Sequence, residues 1–179
     1  HHAILDDSFD RNLAEAPRTT IVACVVQNGT AWWAHAGDSR LYLLRRGRIL
    51  QQTRDHSRVQ LLLEQGIIGP AEAATHPGRN RIYSCLGGTH APQIDYSEPC
   101  ALKDGDLIAL CSDGVWGPLD DDAIVLGLDG IPPAEAVPQL LDRAELHGGD
   151  KADNLSLVAM CWHDDIGAAQ PDAISTRTM

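Results

Sequence analysis

The amino-acid sequence predicts an α+β domain built on antiparallel β-sheet, and three observations predict it. Short apolar and β-branched runs follow one another across tight turns. Residues 19–27, Thr30–Ala36, 41–45 and 48–52 are separated by Asn28-Gly29, by Gly37-Asp38-Ser39-Arg40 and by Arg46-Gly47. Asn-Gly between such runs is the strongest short-range hairpin signal, so they read as an antiparallel meander. A second kind of run does not alternate. Leu107–Cys111 is apolar without a break and is fed by the Asp104-Gly105 turn. It is too short for a helix and reads as a strand covered on both faces. Helical periods fall outside the strand runs, at residues 4–16, 59–65, 71–75, 123–128 and 133–147.

Composition bounds the class. A chain of 179 residues with 44% hydrophobic content reads as one domain with its own core. Four Trp, three Tyr and one Phe make that core mostly aliphatic. A formal net charge of −11 argues against nucleic acid and membranes as partners and suits a protein that collects divalent cations. No apolar run approaches the roughly 20 residues of a membrane span, and no signal peptide is visible. The five cysteines are widely spaced and never form Cys-x-x-Cys. Cys24, Cys111 and Cys161 lie in strand-like runs and read as reduced core residues, which points to a cytoplasmic protein.

Each element has its own justification. His1-His2 is given no function. Ile4, Leu5, Phe9 and Leu13 recur near the helical period, and Pro17 stops a helix over residues 4–16. Trp32 and Trp33 point to opposite faces of one strand, so both faces are expected to be covered. His35 lies within that strand as a core residue, while Arg45, Arg46 and Arg48 form a solvated hairpin tip. Asp55 or Ser57 caps the helix at 59–65, and Gly66 ends it. Gly69-Pro70 opens a short helix within a polar insertion that runs to Asn80. Residues 81–86 read as a short helix or strand before Gly87-Gly88, and residues 94–102 as a strand. Asp120, Asp121 and Asp122 suit the N-terminus of the helix at 123–128. Residues 133–147 carry Ala134, Val137, Leu140, Leu141 and Ala144 on one face, with Pro138 expected to kink or delay the helix. Residues 153–162 form the last strand, and residues 164–179 have no period and read as a disordered tail.

Asp38, Asp113 and Asp153 all sit at ends of apolar strands. A carboxylate held on a stiff strand end needs a partner such as a cation or N–H groups. Acids so placed are the materials of hard-cation sites.

The order of landmarks is more specific than any one of them. Gly37-Asp38-Ser39-Arg40 is followed by Thr53-Arg54-Asp55-His56-Ser57, His76-Pro77-x-Arg79-Asn80 and Leu86-Gly87. Gly105-Asp106, Cys111-Ser112-Asp113-Gly114 and Asp153-Asn154-Leu155-Ser156 come next. This set, covering residues 19–162, resembles the bacterial metal-dependent (PPM, or type 2C) protein serine/threonine phosphatases. The resemblance implies an αββα fold: an antiparallel β-sandwich with helices on both outer faces. It implies a site at which carboxylates and waters hold a pair of Mg2+ or Mn2+ ions, often with a third. It also implies hydrolysis of phosphoserine and phosphothreonine in proteins by metal-activated water, without a covalent intermediate.

Carried over by position, Asp113 and Asp153 act as catalytic residues through the metal they ligate, and Asp38 helps hold the third ion. Ser112, Gly114 and Asn154 support the ligands. Residues 55–80, with Asp55, His56, Ser57 and Asn80, correspond to a flap beside the cleft. In that frame His56 and His76 are structural rather than acid–base groups. The family's opening acid-Arg strand and its Asp-Gly-x-Gly-Gly turn have no counterpart here, and Ser156 stands where Thr is usual. The chain is therefore expected to be the C-terminal portion of a phosphatase domain, residues 1–163, weak on its own and able to associate through uncovered sheet edges. The alternatives are a pseudophosphatase or phosphoprotein-binding module lacking the central metal pair, and a cation binder without phosphatase chemistry.

Overall fold

The computed structural model describes residues 1–164 and 174–177. In chain order the elements are α1 (His2–Asp10), β1 (Ile21–Gln27), β2 (Thr30–Ala36), β3 (Arg40–Leu44), β4 (Ile49–Gln52), α2 (Arg58–Glu64) and α3 (Pro70–Thr75). Then come β5 (Asp95–Tyr96), β6 (Cys100–Ala101), β7 (Leu107–Cys111), α4 (Asp113–Trp116), α5 (Asp121–Leu128), α6 (Pro133–Gly148), β8 (Leu155–Cys161) and β9 (Ile174–Arg177). They build two antiparallel sheets with helices. One has the order β1-β2-β5, with β6 also paired to β2, and the other the order β4-β3-β7-β8-β9.

The chain divides into two compact units. One comprises His1–Cys24, Trp33–Ser39 and Arg54–Ser97, and the other Val25–Trp32, Arg40–Thr53 and Glu98–Met179. The larger unit is organised around β7, flanked by β3 (Arg40 opposite Cys111) and β8 (Leu157 opposite Cys111). Tyr42, Leu44, Leu107, Ala109, Cys111, Leu155, Leu157 and Ala159 form one face of that sheet. They pack with Val115 of α4, Ile124 and Leu128 of α5, and Val137, Leu140, Leu141 and Ala144 of α6. Leu41, Leu43 and Ile108, which alternate with them, are buried as well. The strand expected to be covered on both faces is so covered. In the smaller unit β2 pairs with β5 at His35↔Asp95, and α2 and α3 share a small cluster of Val59, Ile68 and Ala73.

The turns agree with the sequence because positive φ selects their residues. Asn28 and Gly29 sit at φ 50° and 69°, and Arg46 and Gly47 at φ 52° and 67°, the paired left-handed conformations of a tight hairpin. Five expectations are corrected. The first helix ends at Asp10 rather than residue 16. Asn12 adopts φ 51°, its N–H reaches Phe9 O, and the Leu13 N–H reaches Ser8 O, which is a Schellman ending built on Asn. Residues 81–86 form only isolated bridges, Ser57↔Ile82 and Thr19↔Leu86. Residues 94–102 yield β5 and β6 rather than one strand, because Pro99 brings no N–H and the Ser97 hydroxyl takes the Trp33 N–H at 2.9 Å. Trp33 is buried but Trp32 is 38% exposed, so β2 is not covered on both faces along its length. Within the tail expected to be disordered, Ile174–Arg177 is β9, antiparallel to β8 through Leu155↔Arg177. An edge of β8 with open N–H and C=O groups is the physical reason a short β-branched segment pairs there. Residues 165–173 and 178–179 of that tail lie outside the described residues.

Candidate functional site

Asp113 and Asp153 stand at a packed corner of the larger unit. Strand β7 ends at Cys111, and Ser112 leaves it by bonding its N–H to Ser156 O at 3.0 Å. The Ser112 hydroxyl donates to Asn154 O at 3.2 Å and accepts the Ser156 N–H at 3.1 Å. Asp113 opens the one-turn helix α4, so the bend expected at Ser112-Asp113-Gly114 is the first turn of a helix. Gly114 lies so close to Asn154 that a Cβ would fall 2.4 Å from its carbonyl oxygen. The backbone following Asp113 is thus docked on the backbone following Asp153. Asp113 is half-buried and Asp153 exposed, with the Asp153 Oδ1 accepting the Asn154 N–H at 2.7 Å.

Asp38 belongs to the smaller unit. It is 7% exposed, between Gly37 at φ 111° and Ser39. Thr20 packs against this turn: a Cβ on Gly37 would meet Thr20 Cγ2 at 2.3 Å, and the Thr20 and Ser39 hydroxyls are 2.8 Å apart. His56 also holds this turn. Its backbone N–H donates to Gly37 O at 2.9 Å, and its ring Nδ1 accepts the Gly37 N–H at 3.2 Å.

His35, His56 and Asp95 form a candidate metal group by geometry, offering ligand atoms within 4.8 Å of one another. The sequence marks both histidines as structural and gives no signal at Asp95, whose surroundings alternate only weakly. The two rings stack at 4.6 Å between centroids, and His56 stacks on Tyr83 at 5.5 Å. The His35 Nε2 lies 2.7 Å from Arg54 O and so carries the proton. The His56 Nδ1 faces an N–H donor, so the neutral ring keeps its proton on Nε2, 3.3 Å from Asp95 Oδ2. That contact has ion-pair length without hydrogen-bond geometry, which leaves Nε2 of a buried ring unsatisfied. A cation on Nε2 would require the proton to move to Nδ1, against the Gly37 N–H. The tautomer therefore favours a packed polar cluster over a ligand set. The Gln93 amide beside Asp95, and His56 with it, hold that carboxyl below the usual carboxylate range despite burial.

Other expected residues separate by role. Asp55 and Ser57 are buried, and the Ser57 hydroxyl caps α2 by accepting the Gln60 N–H at 3.2 Å. Asn80 is exposed and touches Arg79, while the His76 Nδ1 accepts the Gly78 N–H in a local turn. Arg45 is not a solvated turn residue. Its guanidinium donates to both Asp106 oxygens at 2.8 and 2.6 Å, and Asp106 is 1% exposed. Burial pushes the Asp106 carboxyl up, but Arg45 and the Lys103 N–H outweigh it, and the group lies below its ordinary value. Arg40 stacks on Trp116 at 3.8 Å and, with the buried Tyr42 hydroxyl, donates to Asp121 Oδ1. Sequence reasoning missed Asp106 and Asp121 as structural anchors, since each finds its partner through tertiary contact.

Comparison with known proteins supplies the frame for these features. No family model matches the chain. It is 37% identical over 159 residues to the serine/threonine protein phosphatase PstP of Mycobacterium tuberculosis, covering 88% of this chain and 30% of that protein. It is 34% identical over 147 residues to the protein phosphatase PhpP of Streptococcus pneumoniae, covering 82% and 59%. The chain thus spans about a third to three-fifths of these curated relatives. The crystal structure of the M. tuberculosis phosphatase PstP superposes with a TM-score of 0.81 at 34% identity, covering 90% of this chain and 67% of that one. The catalytic domain of PstP in complex with two manganese ions superposes with a TM-score of 0.73 at 32% identity, covering 88% and 64%. No described helix is long and apolar enough to cross a membrane. By sequence and by fold, the chain belongs to the bacterial PPM (type 2C) serine/threonine protein phosphatase family.

Proposed function

We propose that this chain supplies the Asp113 and Asp153 ligands, and the Asp38 turn, of a metal-dependent phosphatase that hydrolyses phosphoserine and phosphothreonine in cytoplasmic proteins. The observation that carries the reading is the docked corner, which sets Asp113 and Asp153 on backbones locked together through Ser112, Gly114 and Asn154. The donors fit Mg2+ or Mn2+, because hard divalent cations take carboxylate oxygens and water. Asp153 is exposed and so open to a hydrated ion, and Asp113 is half-buried. Two carboxylates are fewer than such an ion takes, so waters and further groups complete its shell. Bound metal would neutralise phosphate oxygens and lower the pKa of water. The protein's part is to hold the carboxylates still: Ser112 ties the end of β7 to the start of β8, and Gly114 permits the close approach. The proposal includes the sandwich of two sheets with outer helices, a phosphatase domain over residues 1–163, and residues 55–80 as the flap that shapes access of a phosphorylated protein.

The test is Mn2+-dependent hydrolysis of an aryl phosphate, run on this chain and on the longest reading frame that encodes it. Hydrolysis by the longer product is expected, with Asp113→Asn and Asp153→Asn each lowering it by roughly a hundredfold or more. Mn2+ binding without hydrolysis in either product would replace this reading with the pseudophosphatase one.

A further inference from the structure

We propose that His56 is a positioning residue that holds the Gly37-Asp38 turn in place from the base of the 55–80 segment. The inference deepens the proposed function and rests on Asp38 being a ligand there. Residue 56 meets both backbone groups of Gly37: its backbone N–H donates to Gly37 O at 2.9 Å, and its side chain adds the second bond, Nδ1 accepting the Gly37 N–H at 3.2 Å. Gly37 sits at φ 111°, a conformation open to glycine and little else, and it brings no side chain of its own to fix the turn. Thr20 also limits the turn through its contact with Gly37 and its hydroxyl contact with Ser39.

His56 is itself buried and held by its neighbours. It is 1% exposed and stacks on both the His35 and Tyr83 rings. Its carbonyl accepts the Tyr83 N–H at 2.8 Å. Its Nε2 gives up a good hydrogen bond and meets Asp95 only at 3.3 Å. A ring placed for core stability would satisfy that nitrogen. This one is placed so that Nδ1 meets Gly37, and the unsatisfied Nε2 is the consequence. Ser57, the next residue, caps α2, so the segment from 55 onward starts from the same anchored point that holds Asp38. Groups that orient ligands in this way typically change metal affinity by about 10–100-fold when removed.

The experiment uses isotope-labelled chain and two substitutions. Asn places a carbonyl oxygen near the position of Nδ1, whereas Leu fills the space and cannot accept. In His56→Leu, Gly37 amide exchange is expected to accelerate by roughly tenfold or more, and half-saturating Mn2+ for paramagnetic broadening at residues 37–39 to rise by a similar factor. In His56→Asn both should stay within about threefold of the wild type. Broadening around Asp113 and Asp153 should keep its Mn2+ dependence in both. If His56→Leu fails to fold, His56→Gln takes its place, since its amide reaches only toward Nε2. Equal damage in the Asn and the Leu or Gln variants would reduce His56 to a packing role and overturn the inference. So would wild-type behaviour in all of them. Loss of Mn2+ broadening at all three aspartates of the wild type would instead sink the phosphatase reading and this inference with it. Normal broadening that ignores His56 sinks the inference alone.

Discussion

A side chain at position 114 would have to displace the Asn154 carbonyl, because its Cβ would stand 2.4 Å from that oxygen. The neighbour is backbone, held in place by Ser112 and the β7–β8 ladder, so it cannot swing aside. Gly114→Ala should therefore destabilise the chain by about 2 kcal/mol, the usual scale for overpacking, and weaken Mn2+ binding at Asp113 and Asp153 together. Urea midpoint and Mn2+ titration check the two effects separately. The Arg45–Asp106 pair yields a different prediction, set by pH. The folded Asp106 carboxyl lies below the ordinary aspartate value of about 3.9. Its contribution to stability is thus fully present above that value and is lost as pH falls through the lower folded value. Arg45→Ala leaves the carboxylate buried with only the Lys103 N–H, a loss of about 3 kcal/mol at neutral pH. It also lets burial push the carboxyl up, so the midpoint of acid unfolding moves to higher pH. Circular dichroism against pH reads this, and an unmoved midpoint would remove Asp106 from the stability account.

At the scale of elements, Pro138 decides the most informative case. The sequence led to an expected kink or delay, yet α6 runs from Pro133 to Gly148 with Pro138 inside it. The helix persists because Ala136, Val137, Leu140, Leu141 and Ala144 are buried against the β3-β7-β8 face, and burial of an amphipathic face outweighs propensity. The proline still leaves Ala134 O without its helical donor. Pro138→Ala should raise stability by about 1 kcal/mol or more, measured as a shift of the urea midpoint without a change of slope. The same contrast explains what could be read in advance. Strands β1 to β4 were legible because Asn28-Gly29 and Arg46-Gly47 are demanded by positive φ, a local constraint that leaves a mark in sequence. The end of α1 carried its mark too, at Asn12, but Asn is a weaker signal for that conformation than Gly. The pairing of Ile174–Arg177 with β8 left none, since an edge strand is defined by its partner. For the candidate site, Asp38, Asp113 and Asp153 were legible only as acids beside strand ends, and their role as ligands stands as the proposal. The grip of His56 on Gly37 and the docking of Gly114 on Asn154 were not legible, because each joins residues far apart in the chain.

The charge of the whole molecule allows a test that needs no enzyme assay. With a formal net charge of −11, any salt relieves self-repulsion, so a rise in melting temperature with added cation is not evidence of a site by itself. Screening depends on ionic strength and is complete within tens to hundreds of millimolar. Site binding depends on the ion's own concentration and adds RT ln(1 + [L]/Kd), about 2.7 kcal/mol at a hundredfold excess over Kd. For a chain of this length that corresponds to roughly 5–10 °C. Mn2+ should therefore raise the melting temperature well above the value reached with NaCl at matched ionic strength. Asp113→Asn and Asp153→Asn remove one negative charge each and should respond to NaCl as the wild type does. If these aspartates hold the ion, both substitutions flatten the Mn2+ curve onto the NaCl curve. If the acids merely crowd the surface, each substitution lifts the baseline slightly and leaves the extra effect of Mn2+ intact, and the metal assignment fails at the level of the whole chain.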